Sequence, residues 1–266
     1  MDDIETRVPI ARLIDGNDGK CVFEDGAVVL KSGDPDDPPL AKSPVSPATS
    51  IRFLWASGDS DSVSLQMSPG SVIIPLEGEL DVTVSSRDNR RFSVGDVLEF
   101  HGTSNKDLFC RPVNGTPFRF AVIDLNDGTV STNADPMDLS IHAGGVDYLR
   151  TFDDSDGKSD TVAGSLPYCY RQPNGCLSTE MILIFGFQFV LAPPDLNYSW
   201  HRAPQRQFVI PMTGGMEVEN GRGVRHTVLP GEIYVGEDVN GQGHITRSID
   251  GCERLSIFAH LSGRLT

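Results

Sequence analysis

Trp200-His201-Arg202-Ala203-Pro204-Gln205-Arg206-Gln207-Phe208-Val209-Ile210-Pro211-Met212-Thr213-Gly214 is the stretch whose reading decides the fold. Its second half is an apolar, strand-like run closed by a glycine, and its first half carries the imidazole, guanidinium and amide groups that a ligand or a reaction needs. Leu229-Pro230-Gly231-Glu232 and Gly241-Gln242-Gly243-His244 follow with turn residues and another histidine. The apolar run also has an earlier counterpart. Residues 72–82 match 208–218 at an offset of 136, the turn glycines Gly95 and Gly231 keep that offset, and 12–20 match 150–158 at an offset of 138. Three ordered matches at nearly constant spacing mark one unit written twice. Asp135-Pro136 and Gly144-Gly145 break regular structure between the copies, which predicts domains over 1–135 and 145–266.

Within each copy the segments are short and rich in Val, Ile and Phe, and Gly, Asn, Asp or Pro separates them. In the first they are 72–76, 80–84, 96–100 and 118–123; in the second, 181–189, 207–212, 216–219, 232–235 and 254–260. This pattern predicts an all-β chain with an antiparallel sandwich or barrel in each half. The Pro-rich segments 34–50 and 192–199 are expected to cross outside the sheets or lie over a barrel mouth.

The 266 residues, 38% of them hydrophobic, suffice for a sizeable core. Lys and Arg number 22 against 37 Asp and Glu, a net charge of -15, which argues against nucleic acid and anionic membrane surfaces as partners. No basic start leads into an apolar run, and no apolar stretch reaches the length of a membrane span, so a soluble, cytoplasmic protein is expected. The five cysteines are widely spaced without a C-x-x-C pair and read as structural thiols. The glycine clusters do not follow a strand and open a helix, so they are not nucleotide loops, and no Ser-His-Asp arrangement emerges from spacing.

With these residues in place, the second copy resembles a cupin and the whole chain a bicupin, two tandem cupin-type antiparallel β-barrels (double-stranded β-helix or jelly roll). In the register of the family's first motif, His201 stands at the first histidine, Ala203 at the second, Gln207 at the glutamate and Gly214 at the glycine; Gly231-Glu232 and His244 fit the second motif. The resemblance implies a divalent metal on three histidines and a carboxylate, but Ala203 and Gln207 replace two of the four ligands. The implied metal set is therefore His201, Gln207 and His244, with either no cofactor or a weakly held Fe, Mn, Ni or Zn ion. In the first copy the equivalent positions are Leu65, Met67, Ser71 and Leu108, which leaves that half as scaffold. The resemblance also implies barrels packed through sheet edges, hence an expected homodimer.

Strand alternation puts 201, 203, 205 and 207 on one face, with Pro204 as a source of distortion, so His201, Gln205 and Gln207 are expected to converge inside the barrel. His244, near a glycine turn, is a candidate proton carrier, with Glu237 or Asp238 to orient it. Trp200, Tyr198 and Tyr234 are candidates for an aromatic wall, and Arg206 and Arg247 for anchoring an anion. His101, His142, His226 and His260 show no site-like spacing. The expected substrate is a small apolar or carboxylated molecule, and the expected chemistry is isomerisation, cyclisation or elimination. His201 and His244 would act as acid and base, and Gln207 would hold a carbonyl or enol oxygen; Gln205, Trp200, Tyr234, Glu237 and Arg247 would bind substrate. A metal-dependent dioxygenase and a non-catalytic ligand binder are the competing readings.

Overall fold

The computed structural model describes residues 5–17, 21–32, 39–59, 62–85, 88–103, 106–125, 135–137 and 144–265. Most of the predicted connection, with His142, lies outside them, as do the side chain of Met67 and residues 34–38. The first copy contributes β1 (Glu5–Asp15), β2 (Cys21–Lys31), β3 (Ala41–Lys42), β4 (Ser46–Pro47), β5 (Ser50–Ala56), β6 (Val63–Met67), β7 (Ser71–Glu77), β8 (Glu79–Ser85), β9 (Asp88–Ser93), β10 (Leu98–Phe100), β11 (Lys106–Pro112) and β12 (Phe118–Asp124). After β13 (Asp135–Pro136), the second gives β14 (Gly145–Asp153), β15 (Ser159–Pro167), β16 (Tyr170–Arg171), β17 (Leu177–Ser178), β18 (Ile182–Ala192), β19 (Asn197–His201), β20 (Gln207–Pro211), β21 (Met216–Glu219), β22 (Arg225–Val228), β23 (Ile233–Glu237), β24 (His244–Ser248) and β25 (Arg254–Leu261). The chain is all-β, and among the described residues no helix is long and apolar enough to cross a membrane. Asp135 and Pro136, read as a break, form a short strand on Tyr170 and Arg171.

The two copies pair their strands in the same way. A four-stranded sheet runs β6-β11-β8-β9 in the first and β19-β24-β21-β22 in the second. Opposite it, β1 pairs parallel with β10 as β14 does with β23. The antiparallel contacts β10–β7, β7–β12 and β12–β5 recur as β23–β20, β20–β25 and β25–β18. Register is kept to the residue: Leu65 faces Leu108, and 136 positions later His201 faces His244.

β7 and β20 are continuous apolar runs because both of their faces are buried. On β7, Val72, Ile74 and Leu76 enter a core shared between the copies, while Ile73 points into the first barrel. On β20, Phe208 and Ile210 enter the shared core and Val209 points into the second barrel. Phe53 and Phe208 meet edge to face there, with centroids 5.7 Å apart. Backbones also touch: at Gly231, with φ +83°, a Cβ would sit 2.0 Å from the Leu76 carbonyl oxygen. β3, β4 and β5 of the first copy hydrogen-bond along β18 of the second, so each copy supplies walls to the other.

Candidate functional site

The interiors of the two barrels differ although their frames agree. The first is filled by apolar side chains, among them Leu65, Leu98, Phe100, Leu108, Phe118 and Phe120. The same registers in the second hold His201, Tyr234, Gly236, His244, Arg254 and Ser256. Replacing Phe100 by Gly236 removes a ring, and a cavity of about 350 Å³ opens in the second barrel. That is within the range of small-molecule sites. Leu40 and Lys42 from the first copy, with Leu196 and Tyr198, close its wall, so the Pro-rich segments do reach a barrel mouth.

His201, Gln207, Tyr234 and His244 all line this cavity. β19 and β24 are adjacent, which brings the His201 and His244 rings to a centroid distance of 4.3 Å. Tyr198 lies 4.4 Å from His201 and Tyr234 5.8 Å from His244, forming a row of four rings. His201 is half-buried at the mouth, its Nδ1 2.8 Å from the Ser199 carbonyl. His244 is buried, and its Nδ1 lies 2.6 Å from Asp238 Oδ2. Both partners are acceptors, so Nδ1 carries the proton and Nε2 is left with the lone pair, an assignment made from the partners. Burial raises the Asp238 carboxyl above its ordinary range, and the hydrogen bond from His244 opposes that shift. Gln207 Oε1 is enclosed without a hydrogen-bond partner.

Other expected members stand elsewhere. Gln205 does not point inside: the strand breaks off after His201 where Pro204 interrupts it, the alternation is lost, and the Gln205 amide bonds to His260 Nδ1. Trp200, next to an inward residue, is exposed. Arg247 lies outside the cavity against Glu217, Glu219 and Asn197. Glu237 turns the other way, accepting from the Leu265 N–H at 2.9 Å and pairing with Arg150 at 3.0 Å and Arg206 at 3.9 Å. Of the two acids before the loop, Asp238 is the one that orients His244.

Arg254 was not singled out by motif or spacing, yet it lines the cavity at 3% exposure. Its Nε and Nη1 are enclosed without an acceptor, and burial pushes its guanidinium down to about 10. Its place at the repeat position of Phe118 is the signal that could have found it: a charge where the sister copy has a core aromatic.

His260 is buried against Phe185, and burial pushes its imidazole down to about 4. In the unfolded chain it titrates near the ordinary value of about 6.5. The unfolded state therefore binds the extra proton first, so this contribution to stability is complete above pH ~6.5 and lost as pH falls to about 4, some 3 kcal/mol in all. Urea titrations across that window should show a shallower pH slope for His260→Asn than for the wild type; equal slopes would refute this.

No family model matches the sequence, and no curated protein matches it. Solved structures similar in layout include a cupin 2 conserved barrel domain protein from Leptotrichia buccalis, with 9% identity over 84% of this chain and 88% of that one at a TM-score of 0.41. AerE from Microcystis aeruginosa gives 14% identity, 94% and 97% coverage and a TM-score of 0.32. Oxalate decarboxylase from Bacillus subtilis gives 12%, 98% and 76%, and 0.29. The fold is two tandem antiparallel jelly-roll barrels of one topology, with the same strand pairings in both copies and Gly214 and Gly231 at positive-φ turns.

The resemblance of the sequence to cupins raises a divalent metal as a candidate, and the residues present do not fit one. The second barrel offers two imidazoles and a neutral amide, Ala203 supplies no donor, and the nearby carboxylate, Asp238, is spent on His244 Nδ1. Among the described residues no three His, Cys, Asp or Glu side chains are placed to hold a metal ion together. Arg254 adds a positive charge to the same cavity, which opposes a dication. Protein purified without chelator should carry Fe, Mn, Ni and Zn well below one equivalent; stoichiometric metal by elemental analysis would overturn this reading.

Proposed function

We propose that the second barrel binds a small organic molecule and moves a proton on it, in an isomerisation, cyclisation or elimination. The observation that carries this reading is the buried His244–Asp238 pair on the wall of a substrate-sized cavity. Asp238 holds Nδ1–H and stabilises the imidazolium that forms when Nε2 takes a proton from carbon. Gln207, the enclosed amide, donates to the oxygen on which charge develops, with its N and O ends interchangeable by a flip. His201, half-buried and one ring away, returns or relays the proton.

The test uses a panel of cyclic ketones and 2-oxo acids with cyclic side chains in D2O, each followed by 1H NMR. The wild type should exchange the C–H beside the carbonyl of at least one probe faster than buffer does. Probes that bind without exchanging above the buffer rate would leave a ligand-binding protein instead.

A further inference from the structure

Arg254 raises a question that the proton-transfer chemistry does not answer. A guanidinium can bond to anions with five N–H groups, yet Nε and Nη1 of this one are walled in with no acceptor. Buried polar groups are ordinarily paired, and a buried charge more so. Among the described residues no carboxylate pairs with it, and nothing opposes the desolvation of its charged form. The frame does not require an arginine there, since Phe118 fills the same register in the first copy.

The cavity's surroundings make the same point. The chain carries a net charge of -15, yet among the described residues the charged side chains lining this cavity are Lys42, Arg202 and Arg254, and no Asp or Glu lines it. Leu196, Val209, Met216 and Phe258 complete an apolar wall. One deeply buried guanidinium in such a setting matches one planar monoanion on an apolar body, because two parallel N–H···O bonds satisfy both partners. Of these three cations Arg254 is the buried one, so the second charge of a phosphate dianion would meet no second buried cation among the described residues.

We infer that the ligand of the second barrel is a cyclic or branched monocarboxylic acid whose carboxylate pairs with Arg254 while its apolar body lies against Leu196, Val209, Met216 and Phe258. This rests on the cavity being the site of the proposed proton transfer, and it adds which end of the substrate is held and by what. His244 then faces the part of the molecule beyond the carboxylate, where the reacting carbon lies. Arg254 acts as a binding residue.

Binding of cyclohexanecarboxylate and of its neutral isostere cyclohexanecarboxamide, measured by calorimetry on the full chain, separates charge from shape. The wild type should prefer the acid by tenfold or more, and inorganic phosphate should not displace it at equal concentration. Arg254→Met should lose that preference while binding the amide at least as well, and Arg254→Lys should keep part of it. The Met variant should fold, because the position tolerates an apolar side chain in the sister copy; its thermal midpoint should equal or exceed that of the wild type. Equal binding of acid and amide by the wild type overturns the inference. So do binding of neither, a preference that survives in Arg254→Met, or displacement by phosphate. Retained acid selectivity without deuterium exchange counts against the proton-transfer reading alone, and exchange without selectivity counts against this inference alone.

Discussion

His244→Gln is expected to lower deuterium exchange into a responsive probe by roughly 10²- to 10⁴-fold, the range a positioned acid or base contributes. Glutamine keeps the size and a hydrogen bond to Asp238 but offers no nitrogen that can take up a proton near neutral pH. Asp238→Asn should also cost activity, by another route. An asparagine can donate to Nδ1, which moves the ring proton to Nε2 and aims the wrong tautomer at the cavity. Since Asp238 does not line the cavity, its replacement should lower kcat far more than it raises KM. Exchange that survives His244→Gln unchanged would remove the dyad from the mechanism.

Gly243→Ala carries the second large effect, on stability and on the site together. Gly243 has φ +83°, and a Cβ there would stand 2.0 Å from the carbonyl oxygen of His201, a backbone atom that no rotamer change can withdraw. Its own carbonyl accepts from Ser159 Oγ at 2.6 Å, so it is held on the other side as well. Gly223 serves as a comparison, with φ +77° and nothing within 4 Å of an added Cβ. Gly223→Ala should cost only the left-handed strain, about 1 kcal/mol. Gly243→Ala should cost about 3 kcal/mol and push β19 from β24, separating the His201 and His244 rings. Equal urea midpoints for the two variants would show that the close approach relaxes freely.

Much of this architecture could be read from the chain alone, because a repeat at 136 residues constrains two halves at once. Gly78 with Gly214 and Gly95 with Gly231 announced the shared turns, and all four have positive φ. The same offset pointed to the barrel that holds the cavity, since Leu65 and Leu108 stand where the cavity-lining His201 and His244 do. What strand alternation could not supply was the course of the chain past Pro204, where the ladder breaks and Gln205 leaves the face it was assigned. Glu237 and Asp238 are adjacent in sequence, so only the end of β23 decides which one turns toward His244. Arg254 escaped because no local pattern distinguishes a buried arginine from a strand-edge one; the comparison with Phe118 would have done so.

The apolar interior of the first barrel contrasts with the orphaned groups of the second. Arg254, Gln207, Ser256 and Asp238 each leave a buried polar atom without a protein partner, and each such atom costs stability in the ligand-free fold. The copy whose interior is packed with Phe100, Phe118 and Phe120 shares a second core, built from both copies, with its more polar sibling. Duplication thus lets one copy carry dense apolar packing while the other carries buried polar groups that its own side chains leave unsatisfied.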